Sequence, residues 1–251
     1  MAAPEGIDHD WAVATGGNLT ARQGRSLVSP LLHTVARYPG LRFRLATGRR
    51  GGGAVDLEAL RIPDSRLAKE AESETEELLS PHIREHSYRT FLFGLAFAAL
   101  DGIPVDLEMV YVASLLHDLH AELPTPERCF AVVGAERAEQ FALEHGADPT
   151  RARRIAAEIS GHLTLGVSDD LGDPGGFVAA GAFADVAGPR LDELDPAWVT
   201  AVLERHPRLD FKRHVLEGIR AEARTVPSGR VGWLCRWTGF PLLIRLAPFD
   251  E

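Results

Sequence analysis

A histidine and an aspartate stand side by side at the end of an apolar run, MVYVASLLHDLHAE (109–122). His117 and Asp118 are the pair; His120 and Glu122 follow directly. A neutral imidazole and a carboxylate are the side chains most often used to hold a catalytic divalent ion. A carboxylate carried inward by an apolar helix is costly without a partner, and a metal is one such partner. The competing reading is a helix end fraying into polar loop, with both side chains in water.

The elements that would position this pair are helical. Ser80-Pro81 opens a helix with a capping hydroxyl and a proline in the first turn, and the helix runs to about Leu100. His86, Thr90, Phe93, Phe97 and Leu100 fall on one helical stripe, so His86 faces the core in line with phenylalanines. Glu85 and Arg89 flank it and read as a solvated i, i+4 ion pair. Asp106 or Pro104 starts the next helix, in which Leu107, Val110, Ser114 and His117 share the buried face. Neighbours on a helix diverge by roughly 100°, yet at its end His117 and Asp118 can turn toward one ion.

Further helices are expected at 27–38, 64–79, 130–145 (closed by Gly146), 149–159, 176–187, 196–205, 210–224 and 228–237, with an apolar tail, PLLIRLAPFDE, docking on the core. His162 falls in a loop, GHLTLGVSDDLG, and GRRGGG (48–53) reads as a flexible loop without the Lys-Ser/Thr of a phosphate-binding loop. Asp185 sits in FVAAGAFADVAG, a helix of small residues with no other reason to carry an acid inward. His9 and His33 read as surface or local packing residues. The fold class is all-α, one domain, with no internal repeat and no heptad run.

Composition narrows the functions. The 251 residues are 45% hydrophobic and 25% charged, with a net charge of −9. Cations are nearly all arginine, with lysine only at Lys69 and Lys212. No basic stripe favours nucleic acid or an anionic membrane. No apolar run nears the roughly 18 residues of a membrane span, and the opening segment lacks a signal-type apolar region. Cys129 and Cys235 lie far apart without zinc-ribbon spacing, which fits a reducing compartment; a cytoplasmic location is the expectation.

The order His86, His117-Asp118, Asp185 on an all-α chain resembles the HD superfamily of metal-dependent hydrolases. EHSYRTFLFGLAFA, YVASLLHDL, CFAVVGAERAEQF, GHLTLGV and FADVAGPRLDEL are similar to the branch containing cyanamide hydratase, over about residues 60–220. The resemblance implies an N-terminal extension (1–60, partly irregular), an HD-type helical domain (61–225) and a helix and tail (226–251) packed on it. It implies one divalent ion held by His86, His117, Asp118 and Asp185: zinc, with iron(II) or manganese(II) as alternatives. It casts His162 as a proton-transfer or substrate-orienting group. Two departures bear on the substrate: His120 stands where that branch tends to have glycine, and Glu122 resembles the acid of HD nucleotidases displaced by one position.

Such an ion lowers the pKa of a bound water from about 15.7 to about 7, making a metal-bound hydroxide available at neutral pH. Hydration of a small nitrile to its amide is the leading expectation, with His162 or His120 supplying the proton. The alternative is a phosphohydrolase acting on a nucleotide or other phosphomonoester, with Arg84, Arg89 or Arg137 clamping phosphate and Glu122 protonating the leaving oxygen. A third reading is an HD fold that binds without turnover. The partner is a small molecule, and homo-oligomerisation is left open.

Overall fold

The computed structural model describes residues 6–251. Among these residues there are thirteen α-helices and no β-strand: α1 (His9–Thr15), α2 (Ala21–Ser26), α3 (Val28–Ala46), α4 (Arg66–Leu78), α5 (Pro81–Asp101), α6 (Leu107–Leu116), α7 (Phe130–Glu144), α8 (Pro149–Gly161), α9 (Gly176–Ala187), α10 (Pro196–Arg205), α11 (Phe211–Thr225), α12 (Arg230–Trp237) and α13 (Phe240–Arg245). The all-α reading holds.

The helix starts are set by short polar side chains. Ser65, Asp106, Asp148 and Asp195 each accept a backbone N–H from the first turn of α4, α6, α8 and α10. Ser80 is the exception. Its hydroxyl makes no cap bond to α5 and instead lies 3.1 Å from His82 Nε2. Proline at the first position still preorganises that turn.

One hydrophobic core runs through the molecule with α6 at its centre. Every residue from Met109 to Leu116 is buried, because α4, α5, α7, α8 and α9 surround the helix. The tightest pairing is α5 against α9. It depends on Gly181, where a Cβ would lie 2.0 Å from the Thr90 carbonyl oxygen. This close approach brings α9 near enough for Asp185 to meet α5. On α5 the buried stripe ends before Leu100, which is 45% exposed at the last turn.

Two N-terminal expectations change. The helix expected over 27–38 continues to Ala46 past Pro39, because burial of Pro30 and Leu41 anchors it on both sides of the missing donor. The glycine loop is docked rather than flexible. Gly51 N–H donates to Asp192 O at 2.7 Å and Gly53 N–H to Glu193 O at 3.0 Å, with a Cβ at Gly51 only 2.0 Å from Glu193 O. The tail docks as expected, with Ile244 and Phe249 buried. No helix of the described residues is long and apolar enough to cross a membrane.

Candidate metal centre

Two elements meet at one buried point. α5 delivers His86, and the turn that ends α6 delivers His117 and Asp118. His86 Nε2 lies 3.3 Å from His117 Nε2. Asp118 Oδ2 lies 3.4 Å from His117 Nε2 and 3.7 Å from His86 Nε2. Three donors each about 2.1 Å from a tetrahedral ion would stand about 3.4 Å apart.

The ring protons can be assigned from their partners. His117 Nδ1 donates to the Ser114 carbonyl at 2.7 Å, and His86 Nδ1 to Asp185 Oδ2 at 2.7 Å. Each neutral ring therefore presents a bare Nε2 lone pair. Two lone pairs and a carboxylate oxygen face one another, and a divalent cation would satisfy all three. Complete burial pushes the His117 pKa down, which disfavours a proton on that ring. Burial alone would raise the Asp118 pKa, but the facing imidazoles of His117, His86 and His162 outweigh it and hold the carboxyl ionised. The donor set fits a divalent ion.

Asp185 corrects the expected ligand set. It is fully buried, but it stands behind His86 on the Nδ1 side, outside the group of converging donor atoms. Both its oxygens are occupied: Arg89 donates from Nε to Oδ1 and from Nη2 to Oδ2, both at 2.8 Å, and Arg208 Nη1 donates to Oδ1 at 2.6 Å. Burial opposes ionisation, and the Arg89 and Arg208 guanidiniums overturn that and hold the Asp185 pKa far below the usual carboxylate range. Asp185 orients the His86 ring and fixes its tautomer from behind.

Arg89 is the second correction. It is fully buried, not a solvated partner of Glu85, and its Nη1 also donates to the carbonyls of His206 (3.1 Å) and Pro207 (2.8 Å). Glu85 takes Arg84 and His206 instead. Phe211 closes the group, stacked on His86 at 4.5 Å between ring centroids and facing both guanidiniums at 5.2 Å.

The remaining expected residues surround the centre without joining it. His162 caps α8, its ring edge-on to His117 at 5.1 Å, and its Nδ1 donates to Ile159 O at 2.6 Å. Burial, reinforced by His117, brings its pKa down to about 3, so its Nε2 is a bare acceptor at neutral pH. His120 is half-buried with Nδ1 unpartnered, and lies outside the converging group. Glu122 is exposed, and its Oε1 is 3.0 Å from His82 Nε2. His82 stacks on His214 at 3.8 Å. His9 lies 2.8 Å from Ser160 Oγ and His33 is exposed, both away from the centre.

No protein-family model matches the chain, and no curated protein matches it. Arg208, Phe211 and the His82–His214 stack escaped the sequence reading. Arg89 carried a usable signal, since three residues after His86 lies the same helix face. Arg208 lies between helices, where no periodicity applies.

Proposed function

We propose that the chain is an HD-type metal-dependent enzyme that hydrates a small uncharged substrate of the nitrile class to its amide. The observation that carries this is the set of three facing acceptors, His86 Nε2, His117 Nε2 and Asp118 Oδ2, with both ring tautomers fixed from behind. The order of the motif residues, which resembles that superfamily, supports it. Access supports a small substrate: His86 and His117 are shut from solvent, and the Asp118 side chain keeps only 12% of its exposure.

A divalent ion held there would polarise the substrate and make water a nucleophile at neutral pH. His162 carries the proton traffic. Its bare Nε2 would relay protons to the substrate nitrogen twice, first from the attacking water to give the imidic acid and then from the imidic-acid hydroxyl to give the amide. Asp185 keeps His86 in the Nδ1–H tautomer throughout. Phe211 and the apolar faces of α5 and α6 exclude bulk water.

The phosphomonoester alternative finds little support in the arginines. Arg84 is paired with Glu85, Arg137 with Glu74, and Arg89 is spent on Asp185. Elemental analysis of the purified protein, with parallel assays for urea from cyanamide and phosphate from a nucleotide panel, tests the proposal. One ion per chain with amide formation is expected. Phosphate release without nitrile turnover would replace this reading by the alternative, and bound metal with neither activity would point to a binding module.

A further inference from the structure

The contacts behind His86 do not stop at Asp185. Arg208 is buried, and while its Nη1 holds Asp185 Oδ1 and the Asp185 carbonyl (3.2 Å), its Nε donates to Glu251 Oε1 at 2.9 Å. Glu251 Oε2 in turn accepts the Lys212 backbone N–H at 3.0 Å. We infer that Glu251 is a positioning residue for the metal centre, acting through Arg208 and Asp185 on His86; this rests on the metal-centre reading above.

Charge gives the first reason. Asp185 faces two guanidiniums, so one carboxylate meets two buried positive charges. Glu251 supplies the second negative charge, on the far side of Arg208. Without it, Arg208 would draw more fully on Asp185, and Asp185 would polarise His86 less. An uncompensated positive charge would also stand near the place where a divalent ion binds.

Geometry gives the second reason. Arg208 lies in the link between α10 and α11, with no helix to fix it. Leu209 (φ 54°) and Asp210 (φ 57°) follow in the left-handed region, which non-glycine residues enter only at a steric cost. Surrounding contacts must hold such a link. The segment around Phe249 provides them. Phe249 is buried with its ring 4.2 Å from the Arg208 guanidinium, and its carbonyl accepts Lys212 Nζ at 2.5 Å. Pro248 packs against Gly188, the cap that ends α9 three residues after Asp185. The same short segment therefore braces both the arginine and the end of the helix that carries the aspartate.

The experiment measures zinc affinity by competition with a chromophoric chelator, together with the His86 Nδ1–H signal by proton–nitrogen NMR in metal-free protein. Direct partners of ligating histidines change metal affinity by roughly 10- to 100-fold, so one step further out Glu251→Gln should weaken zinc binding by about 3- to 10-fold. Its His86 Nδ1–H signal should shift or exchange faster, while the metal-free Tm moves little. Glu251→Asp should recover part of the affinity. In an Arg208→Met background, Glu251→Gln should have no further effect. If Glu251→Gln leaves both zinc affinity and the His86 signal unchanged, the proposal is overturned. Should wild-type protein bind no zinc, the metal-centre reading fails, and the His86 signal alone still decides whether Glu251 positions that ring.

Discussion

Asp118 contributes the charge at the point where three acceptors converge, and Asp185 contributes it one residue behind. The two acids should therefore respond differently to substitution. Asp118→Ala removes a donor from a three-residue set, so metal occupancy and turnover should both vanish, whereas His33→Ala, on an exposed helix face, should change neither. Equal loss in both variants, read by elemental analysis, would show that the site lies elsewhere. Asp185→Asn keeps the shape but leaves Arg89 and Arg208 without their buried counter-charge, so it should cost about 3–5 kcal/mol of stability in urea denaturation. It should also weaken metal binding, because a single neutral amide oxygen would replace the two charged oxygens that His86, Arg89 and Arg208 now share. Stability unchanged by Asp185→Asn would contradict the buried network. His86, His117 and Asp118 were legible in the sequence because helical phase and burial speak directly to the direction of a side chain. Asp185 was legible as a buried acid but not as one standing outside the converging donors: it is turned to Arg89 and to Arg208, whose position follows from a link without periodicity.

At the scale of elements, His86 is braced from behind because α9 can lie against α5 at backbone distance. A methyl at Gly181 would meet the Thr90 carbonyl, which belongs to rigid backbone and cannot swing aside. Gly181→Ala should therefore lower stability by about 2 kcal/mol or more, within or above the usual range for overpacking, and weaken metal binding as Asp185 withdraws from His86. Gly218 in α11 is the control. Its nearest neighbour to an added Cβ is the Ala121 carbonyl oxygen at 3.7 Å, so Gly218→Ala should stabilise by up to about 1 kcal/mol through helix propensity alone. Thermal denaturation of the two variants separates the cases; similar Tm values would refute the close-packing argument. Helices that announce themselves by a short polar capping side chain and an amphipathic stripe, such as α4, α8 and α10, could be read from sequence almost to the residue. α3 could not, since Pro39 reads as a stop and only tertiary packing carries the helix past it. The docking of the glycine loop was likewise invisible, because its partners at 192–195 are distant in the chain.

For the whole molecule, the response of stability to pH depends on buried groups remote from one another. Glu158 on α8 is almost fully buried, and its Oε2 accepts the Gly175 N–H at the start of α9 at 3.0 Å. Burial pushes its pKa up to about 7; Asp173 adds to the rise, and the Gly175 bond and Arg154 oppose it. Between the unfolded value of about 4.5 and the folded value of about 7, the native state binds more protons than the unfolded state, so stability falls as pH rises through this window. The integrated loss above pH 7 is about 3 kcal/mol, taking about 1.4 kcal/mol per unit. His162 works in the opposite direction. With its folded pKa depressed to about 3, the unfolded chain binds the extra proton below about 6.5, and stability falls as pH drops. Glu158→Gln keeps an acceptor for Gly175 and removes the ionisation. Urea denaturation of metal-free protein should find it more stable than wild type at pH 8, by up to about 3 kcal/mol, and scarcely more stable at pH 4, where Glu158 is protonated in the native state and mostly so in the unfolded one. An equal difference at both pH values would mean that packing, not ionisation, separates the two side chains, and that the carboxyl is not buried in its charged form at neutral pH.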